Sequence, residues 1–297
     1  MFRQVSIALS MAFATIPAWA AQASLGCTTA QTECSAYAPV DGLKMYYEIH
    51  GSGYPLVLIH GGGSTIYTSF GRILPALARS HQVIAVELQA HGHTNDRDAP
   101  ETFAQDADDV AELLRQLDVT QADVFGFSNG GQTAMDIYLR HPERVHRLVL
   151  ASMFYKRDGA PAAFWAGMAK AKFSDMPQLY KDAYLKINPD PAALLNMFKR
   201  DSQRMQTFQD WKESDVKSIQ APTLVVVGDR DLVRPEHAVE MYRLLPHARL
   251  AIMPGIHGGY MGEALSPDPD SQVPTLFVAM LDEFLAAPPG GESAGQK

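Results

Sequence analysis

Apolar positions fall in short continuous runs separated by stretches of helical period. Residues 44–50 and 55–60 are two such runs, joined by Gly51-Ser52-Gly53, which reads as a turn. Residues 83–88, 123–127, 147–151, 223–227 and 249–253 repeat the pattern and are rich in β-branched residues. Between them lie amphipathic stretches; in residues 103–117, Val110, Leu113, Leu114 and Leu117 share one face. A strand that is apolar on every position is buried on both sides. The predicted class is therefore α/β, a mostly parallel sheet flanked by helices.

One interval breaks the alternation. Residues 156–219 contain no convincing strand, only helical patterns punctuated by Pro161, Pro177, Pro189 and Pro191. The interval carries Phe164, Trp165, Met168, Phe173, Met176, Tyr180, Tyr184, Met197, Phe198, Met205, Phe208 and Trp211. It predicts a helical lid over one edge of the sheet. Roughly a third of these side chains are expected to meet a ligand, the others forming the lid's own core. The expected organisation is a first core segment at 21–155, the lid at 156–219 and a second core segment at 220–287.

Composition adds limits. The 297 residues are 46% hydrophobic, too apolar for a disordered chain and long enough for a large core. A net charge of −8 argues against nucleic acid as a partner. Arg3, an apolar run over residues 5–16 and the small residues of Ala18-Trp19-Ala20 have the layout of a secretory signal cleaved after Ala20. No segment approaches the length of a stable membrane span. Export to a periplasmic or extracellular space would let Cys27 and Cys34, the two cysteines of the chain, form a bridge near the mature N-terminus. Residues 288–297 are rich in Gly, Pro and Ser and read as a disordered tail.

The chemistry lies in four short motifs. Gly126-Phe127-Ser128-Asn129-Gly130 matches G-x-S-x-G, a weak signal alone but here set between an apolar strand and a helical run. The glycines permit a sharp turn that exposes Ser128 as a nucleophile. His60-Gly61-Gly62-Gly63 ends an earlier strand, and side-chain-free backbone there can offer N–H groups to an oxyanion. Gly62 is the preferred donor beside the Asn129 amide, with Gly61 and Gly63 open as alternatives. A serine needs a base, and the base needs an acid to fix its tautomer. Gly228-Asp229-Arg230-Asp231 supplies two carboxylates, with Asp231 preferred and Asp229 expected to cap the turn. Pro254-Gly255-Ile256-His257 supplies the histidine. Gly63, Phe127, Trp165 and Met168 are the candidate substrate contacts.

The order Ser128, Asp231, His257 resembles the α/β-hydrolase superfamily, and within it the lidded esterases, lactonases and cofactor-free haloperoxidase-like enzymes. The resemblance runs from about residue 36 to 287. It implies eight strands, mostly parallel, with the lid inserted after the sixth, a serine triad, and no metal or organic cofactor. The chain departs from that family at Glu87-Leu88-Gln89-Ala90-His91-Gly92-His93, where relatives carry an aspartate and a basic residue before Gly-His-Gly. Bracing of the oxyanion strand is expected to differ here. His60, His91 and His93 with Glu87 could be assembled into a metal set, but their glycine-rich loops explain them better.

The expected activity is hydrolysis of a carboxylic ester or lactone, macrocyclic lactones included, through an acyl-enzyme. The alternatives are carbon–carbon bond hydrolysis or a perhydrolase reaction on the same triad, and a non-catalytic pocket. Ser128 in place of a carboxylate at the elbow argues against the epoxide-hydrolase and dehalogenase chemistries.

Overall fold

The structure is a computed structural model that describes residues 26–288. The expected export signal at 1–20 and the expected tail after Pro288 lie outside the described residues. Eight strands form one sheet: β1 (Glu33–Val40), β2 (Leu43–His50), β3 (Tyr54–Ile59), β4 (His81–Val86), β5 (Ala122–Phe127), β6 (Val145–Ala151), β7 (Thr223–Gly228) and β8 (Ala248–Met253). Their spatial order is β1-β2-β4-β3-β5-β6-β7-β8. β2 runs antiparallel to both β1 and β4, and every pairing from β4 onward is parallel.

Among the described residues, ten α-helices accompany the sheet: α1 (Ile66–Phe70), α2 (Leu74–Leu77), α3 (Phe103–Gln116), α4 (Asn129–Arg140), α5 (Ala162–Met168), α6 (Gln178–Ile187), α7 (Pro191–Gln206), α8 (Glu213–Ser218), α9 (Pro235–Leu244) and α10 (Val273–Ala286). Successive strand residues point to opposite faces, so each strand feeds two cores. Val57, Ile59, Val124, Leu148, Leu150, Val225 and Val227 pack with residues of α3, α4 and α9. Leu56, Leu58, Phe125, Val149, Leu224 and Val226 pack with residues of α1, α2 and α10. Each such aliphatic side chain contributes about 1.5–3 kcal/mol by leaving water.

The sequence pattern missed β1. Its inward positions Ala36, Ala38 and Val40 alternate with outward Ser35, Tyr37 and Pro39, as suits an edge strand buried on one face. It has none of the continuous apolar character by which the inner strands are recognised. Cys34, at its start, is disulfide-bonded to Cys27, and the Tyr47 hydroxyl donates to the Cys27 carbonyl at 2.9 Å. The strand expected at 83–88 instead starts at His81 and stops at Val86, leaving Glu87 and Leu88 to a loop that serves the site.

The helical insertion occupies the chain between β6 and β7, as α5 to α8. Its inner face has a small core of Met176, Tyr184, Leu194 and Met197, packed on Ala90 of the sheet's upper loops. β3 lies between β4 and β5, so the order in which the chain adds strands to the sheet reverses there, though the three run parallel. A crevice opens at the carboxyl ends of strands on either side of such a reversal.

Phe125 is fully buried, edge-on to Phe70 and Phe277 at 5.3 and 6.0 Å, and so ties α1 and α10 to the sheet. Phe125→Ala is expected to lower unfolding free energy by about 3–5 kcal/mol in urea titration. A loss under about 1 kcal/mol would contradict the packing described.

Candidate active site

β5 ends at Phe127 and α4 starts at Asn129, leaving a single residue, Ser128, to turn the chain. Its backbone is held at φ 53°, ψ −124°, a conformation costly for a side-chain-bearing residue. Two glycines make the turn possible. A Cβ on Gly126 would lie 2.0 Å from the Gly130 carbonyl oxygen, and one on Gly130 would lie 2.1 Å from that of Ile59. The strained turn lifts the Ser128 side chain out of the sheet.

His257 follows β8, and its Nε2 lies 3.0 Å from Ser128 Oγ. Its Nδ1 lies 2.7 Å from Asp231 Oδ1. A carboxylate there accepts, so Nδ1 carries the proton and Nε2 is free to accept from the serine hydroxyl. Asp231 is enclosed and fully used. It also accepts from the amides of Gly228 and Val233, both at 3.0 Å, and from Ser152 Oγ at 2.6 Å. Tyr260 OH lies 2.9 Å from the same Ser152 oxygen, whose proton goes to Asp231, so the phenol donates. Burial pushes the Asp231 carboxyl up, but the hydrogen bond and charge of His257 outweigh it and hold it below the usual range. Asp229 takes a different role: its Oδ1 accepts from the Gly255 amide at 2.8 Å, bracing the histidine loop rather than capping its own turn.

The glycine run after β3 lies against this elbow. The Gly61 amide donates to Ser69 Oγ at 3.2 Å, and the Gly63 amide donates to Asp201. Both amides are thereby occupied, while among the described residues no acceptor takes the Gly62 N–H or that of Asn129. Gly62 and Asn129 are close neighbours; a Cβ on Gly62 would meet Asn129 Nδ2 at 2.4 Å. The Asn129 amide also stands at the amino end of α4, where the helix dipole favours negative charge.

These groups open into a cavity of about 490 Å³ between sheet and insertion. Phe164, Met168, Met176, Tyr180, Met197, Phe198 and Met205 line it, seven of the twelve large insertion side chains. No lysine or arginine is in the lining, and its carboxylates are Asp175 at the exposed rim and Asp201 inside. Of the candidate substrate contacts, Gly63 and Met168 are in the lining. Trp165 and Phe127 are not. Trp165 packs on Phe154, Phe164 and Phe208 under the Arg157 guanidinium and donates its indole N–H to the Arg157 carbonyl at 2.6 Å. Phe127 is buried beneath the site, its ring 4.9 Å from that of His257.

The loop after β4 explains the departure in its sequence. Glu87 accepts from the backbone and Nδ1 of His93, at 2.7 and 2.8 Å. Burial drives His60 down to about 3, so it is neutral: Nε2 accepts from the Leu88 amide at 3.1 Å and Nδ1 donates to the Gly61 carbonyl at 2.8 Å. His91 donates from Nδ1 to the Gln89 carbonyl at 2.8 Å and from Nε2 to Asp201 at 3.0 Å. Each imidazole thus has its own partner, and the set His60, His91, His93 and Glu87 does not converge on a point.

His91, Glu101 and Asp201 do converge, but around a cation already present. Arg204 Nη1 lies 2.9 Å from Glu101 and 2.7 Å from Asp106, and its other nitrogen pairs with Asp201. Burial alone would lower His91, yet Asp201 and Glu101 outweigh it and raise it to about 9. Burial also raises Asp201, but His91 and Arg204 prevail and hold its carboxyl well below the usual range. Asp158, His237 and Glu240 form a second cluster. There Nε2 of His237 accepts from the Tyr155 amide at 3.2 Å, so Nδ1 keeps its proton, and Lys156 lies 2.6 Å from Glu240. A metal fits neither cluster. The sequence reading missed Asp201, Arg204 and Ser152; the opposite charges of Asp201 and Arg204 one helical turn apart were the available signal.

A family model described as the alpha/beta hydrolase fold matches residues 54–199. The chain is 28% identical over 216 residues to 2-hydroxymuconate semialdehyde hydrolase of Pseudomonas sp. (strain CF600), covering 65% of this chain and 76% of that protein. It is 29% identical over 221 residues to the pimeloyl-[acyl-carrier protein] methyl ester esterase of Neisseria meningitidis serogroup A, covering 66% and 68%. Among solved structures, the enol-lactonase of Burkholderia xenovorans LB400 superposes with a TM-score of 0.66 at 22% identity, over 84% of this chain and all of that one (100%). The fold is that of the α/β hydrolases, and over residues 54–199 the chain is similar to that family.

The charge cluster makes stability depend on pH. His91 is ordinarily near 6.5 and stands near 9 in the fold, so the folded state holds the proton more tightly. Its contribution is complete below about pH 6.5 and is lost as pH rises through about 9. Urea midpoints are expected to fall from pH 6.5 to 9.5, and less steeply in His91→Gln; equal slopes would contradict this.

Proposed function

We propose that the chain is a serine hydrolase of uncharged carboxylic esters or lactones. The observation that carries this reading is the continuous hydrogen-bonded line Ser128–His257–Asp231, facing two unpaired amides at Gly62 and Asn129. In the reaction, His257 takes the Ser128 proton as Oγ attacks the carbonyl, and Asp231 stabilises the imidazolium that results. The Gly62 and Asn129 amides receive the oxyanion; a single donor of this kind is worth about 10²–10³ in rate. His257 then protonates the leaving alcohol, and water takes its place to release the acid.

The cavity supports the choice of substrate. Its walls are mainly apolar and, among the described residues, include no lysine or arginine to pair a substrate carboxylate. Burying an unpaired carboxylate costs several kcal/mol. An acyl group without charge fits, and macrocyclic lactones are one case within that class. The second reading, cleavage of a carbon–carbon bond, is supported by similarity to the semialdehyde hydrolase. A muconate semialdehyde carries a carboxylate, and the lining offers it no cation. Export is supported by the Cys27–Cys34 bridge, since such bonds persist in oxidising compartments.

A panel of esters and lactones, read by mass spectrometry, tests the reading. Ser128→Ala is expected to lower turnover by about 10⁴-fold or more. A half-ester bearing a free carboxylate on its acyl chain should react about 10²-fold more slowly than its uncharged analogue, from the cost of the unpaired charge. Hydrolysis unchanged in Ser128→Ala would end the proposal, and a preference for the charged half-ester would overturn the substrate class.

A further inference from the structure

Resting on the acyl-transfer reading above, we propose that Asp201 is a positioning residue: from the helical insertion it sets the geometry of the oxyanion site. Its carboxylate accepts from four donors. Oδ2 takes the Gly63 amide and His91 Nε2, the latter at 3.0 Å; Oδ1 takes Arg204 and the Asn129 side-chain amide, the latter at 3.3 Å. Two of these donors belong to the segments that flank the reacting serine. Gly63 directly follows Gly62, and Asn129 directly follows Ser128.

The Gly63 N–H lies in the peptide plane that begins at Gly62, so fixing that N–H fixes the torsion on the carbonyl side of Gly62. At the other end of this short run, Ser69 accepts from Gly61 at 3.2 Å. Gly62 is therefore clamped from both sides with its own amide left over. Three adjacent glycines without such ties would sample many orientations. The bond to Asn129 joins the second donor segment to the same carboxylate, so the two amides are referenced to one atom group.

Charge makes the arrangement compatible with an oxyanion. A bare carboxylate in the cavity wall would oppose negative charge developing nearby. Here the imidazolium of His91 and the guanidinium of Arg204 both pair with Asp201. Shape alone cannot substitute. In Asp201→Asn one oxygen becomes an NH2 group, which must face donors whichever way it is turned. Because Asp201 sits on α7, the insertion supplies the acceptor that completes a site otherwise built on the sheet.

The test compares wild type, Asp201→Asn and Asp201→Ala with an uncharged ester, counting active sites by phosphonate labelling so that misfolded material is excluded. Inhibition by a trifluoromethyl ketone, which adds to the serine oxygen and forms an oxyanion, is measured alongside. The expected result is a fall in kcat of about 10²-fold per labelled site, with KM nearly unchanged. Inhibitor affinity should weaken by the same factor as kcat/KM. Full kcat per labelled site, a loss confined to KM, or a kcat loss with unaltered inhibitor affinity would each overturn the proposal. Ser128→Ala separates the two claims: if it hydrolyses as fast as wild type, the acyl-transfer reading itself fails. If it is inactive while Asp201→Asn keeps full kcat, only the role of Asp201 falls.

Discussion

The site depends on one close backbone approach. Gly126 faces Gly130 across the turn after β5, and Gly130 in turn rests against the carbonyl oxygens of Ile59 and His60. Neither position has room for a methyl group, and that closeness forces Ser128 into its strained conformation while bringing the end of β3 beside the start of α4. Ser128, the Asn129 amide and the glycine run are neighbours for this single reason. Since β3 and β5 are paired in the sheet, the sheet's order fixes the same adjacency. The strain at Ser128 is borne by a core in which Phe125, Val124 and their partners are fully buried.

A second constraint ties the insertion to that centre. Arg204, His91, Asp201, Glu101 and Asp106 are buried together, an arrangement that costs desolvation and is repaid only when each ion is paired. Glu101 and Asp106 are pushed up by burial and drawn back by Arg204, so the cluster stays near electrical balance. Its position explains its retention: it joins α7 to α3 and to the loop after β4, directly behind the glycines. The insertion thus contributes an apolar wall and a polar anchor to one cavity. Tyr180 adds a separate tie, donating to Glu263 at 2.6 Å beyond the histidine loop.

Local features were legible in the sequence, and long-range ones were not. The strand, serine turn and helix at 122–140 are contiguous, so glycine spacing and apolar pattern expose them together. Asp231 and His257 follow strands of the same character, and their order completes the arrangement. β1 was lost because an edge strand alternates and carries Pro39. Asp201 was lost for a different reason: its partners His91 and Gly63 lie 110 and 138 positions away. On α7 alone it looks like part of a solvated charged face. Trp165 and Phe127 have the right chemistry for substrate contact, yet neighbouring aromatic rings already use their surfaces.

The proposed reaction requires that Ser128 become covalently acylated during turnover. Rapid-quench mass spectrometry of the protein with an uncharged ester tests it most directly. The expected result is a transient mass increase equal to the acyl group, located on the peptide containing Ser128 and formed before the acid appears. Acid released at full rate with no adduct on that peptide would contradict it.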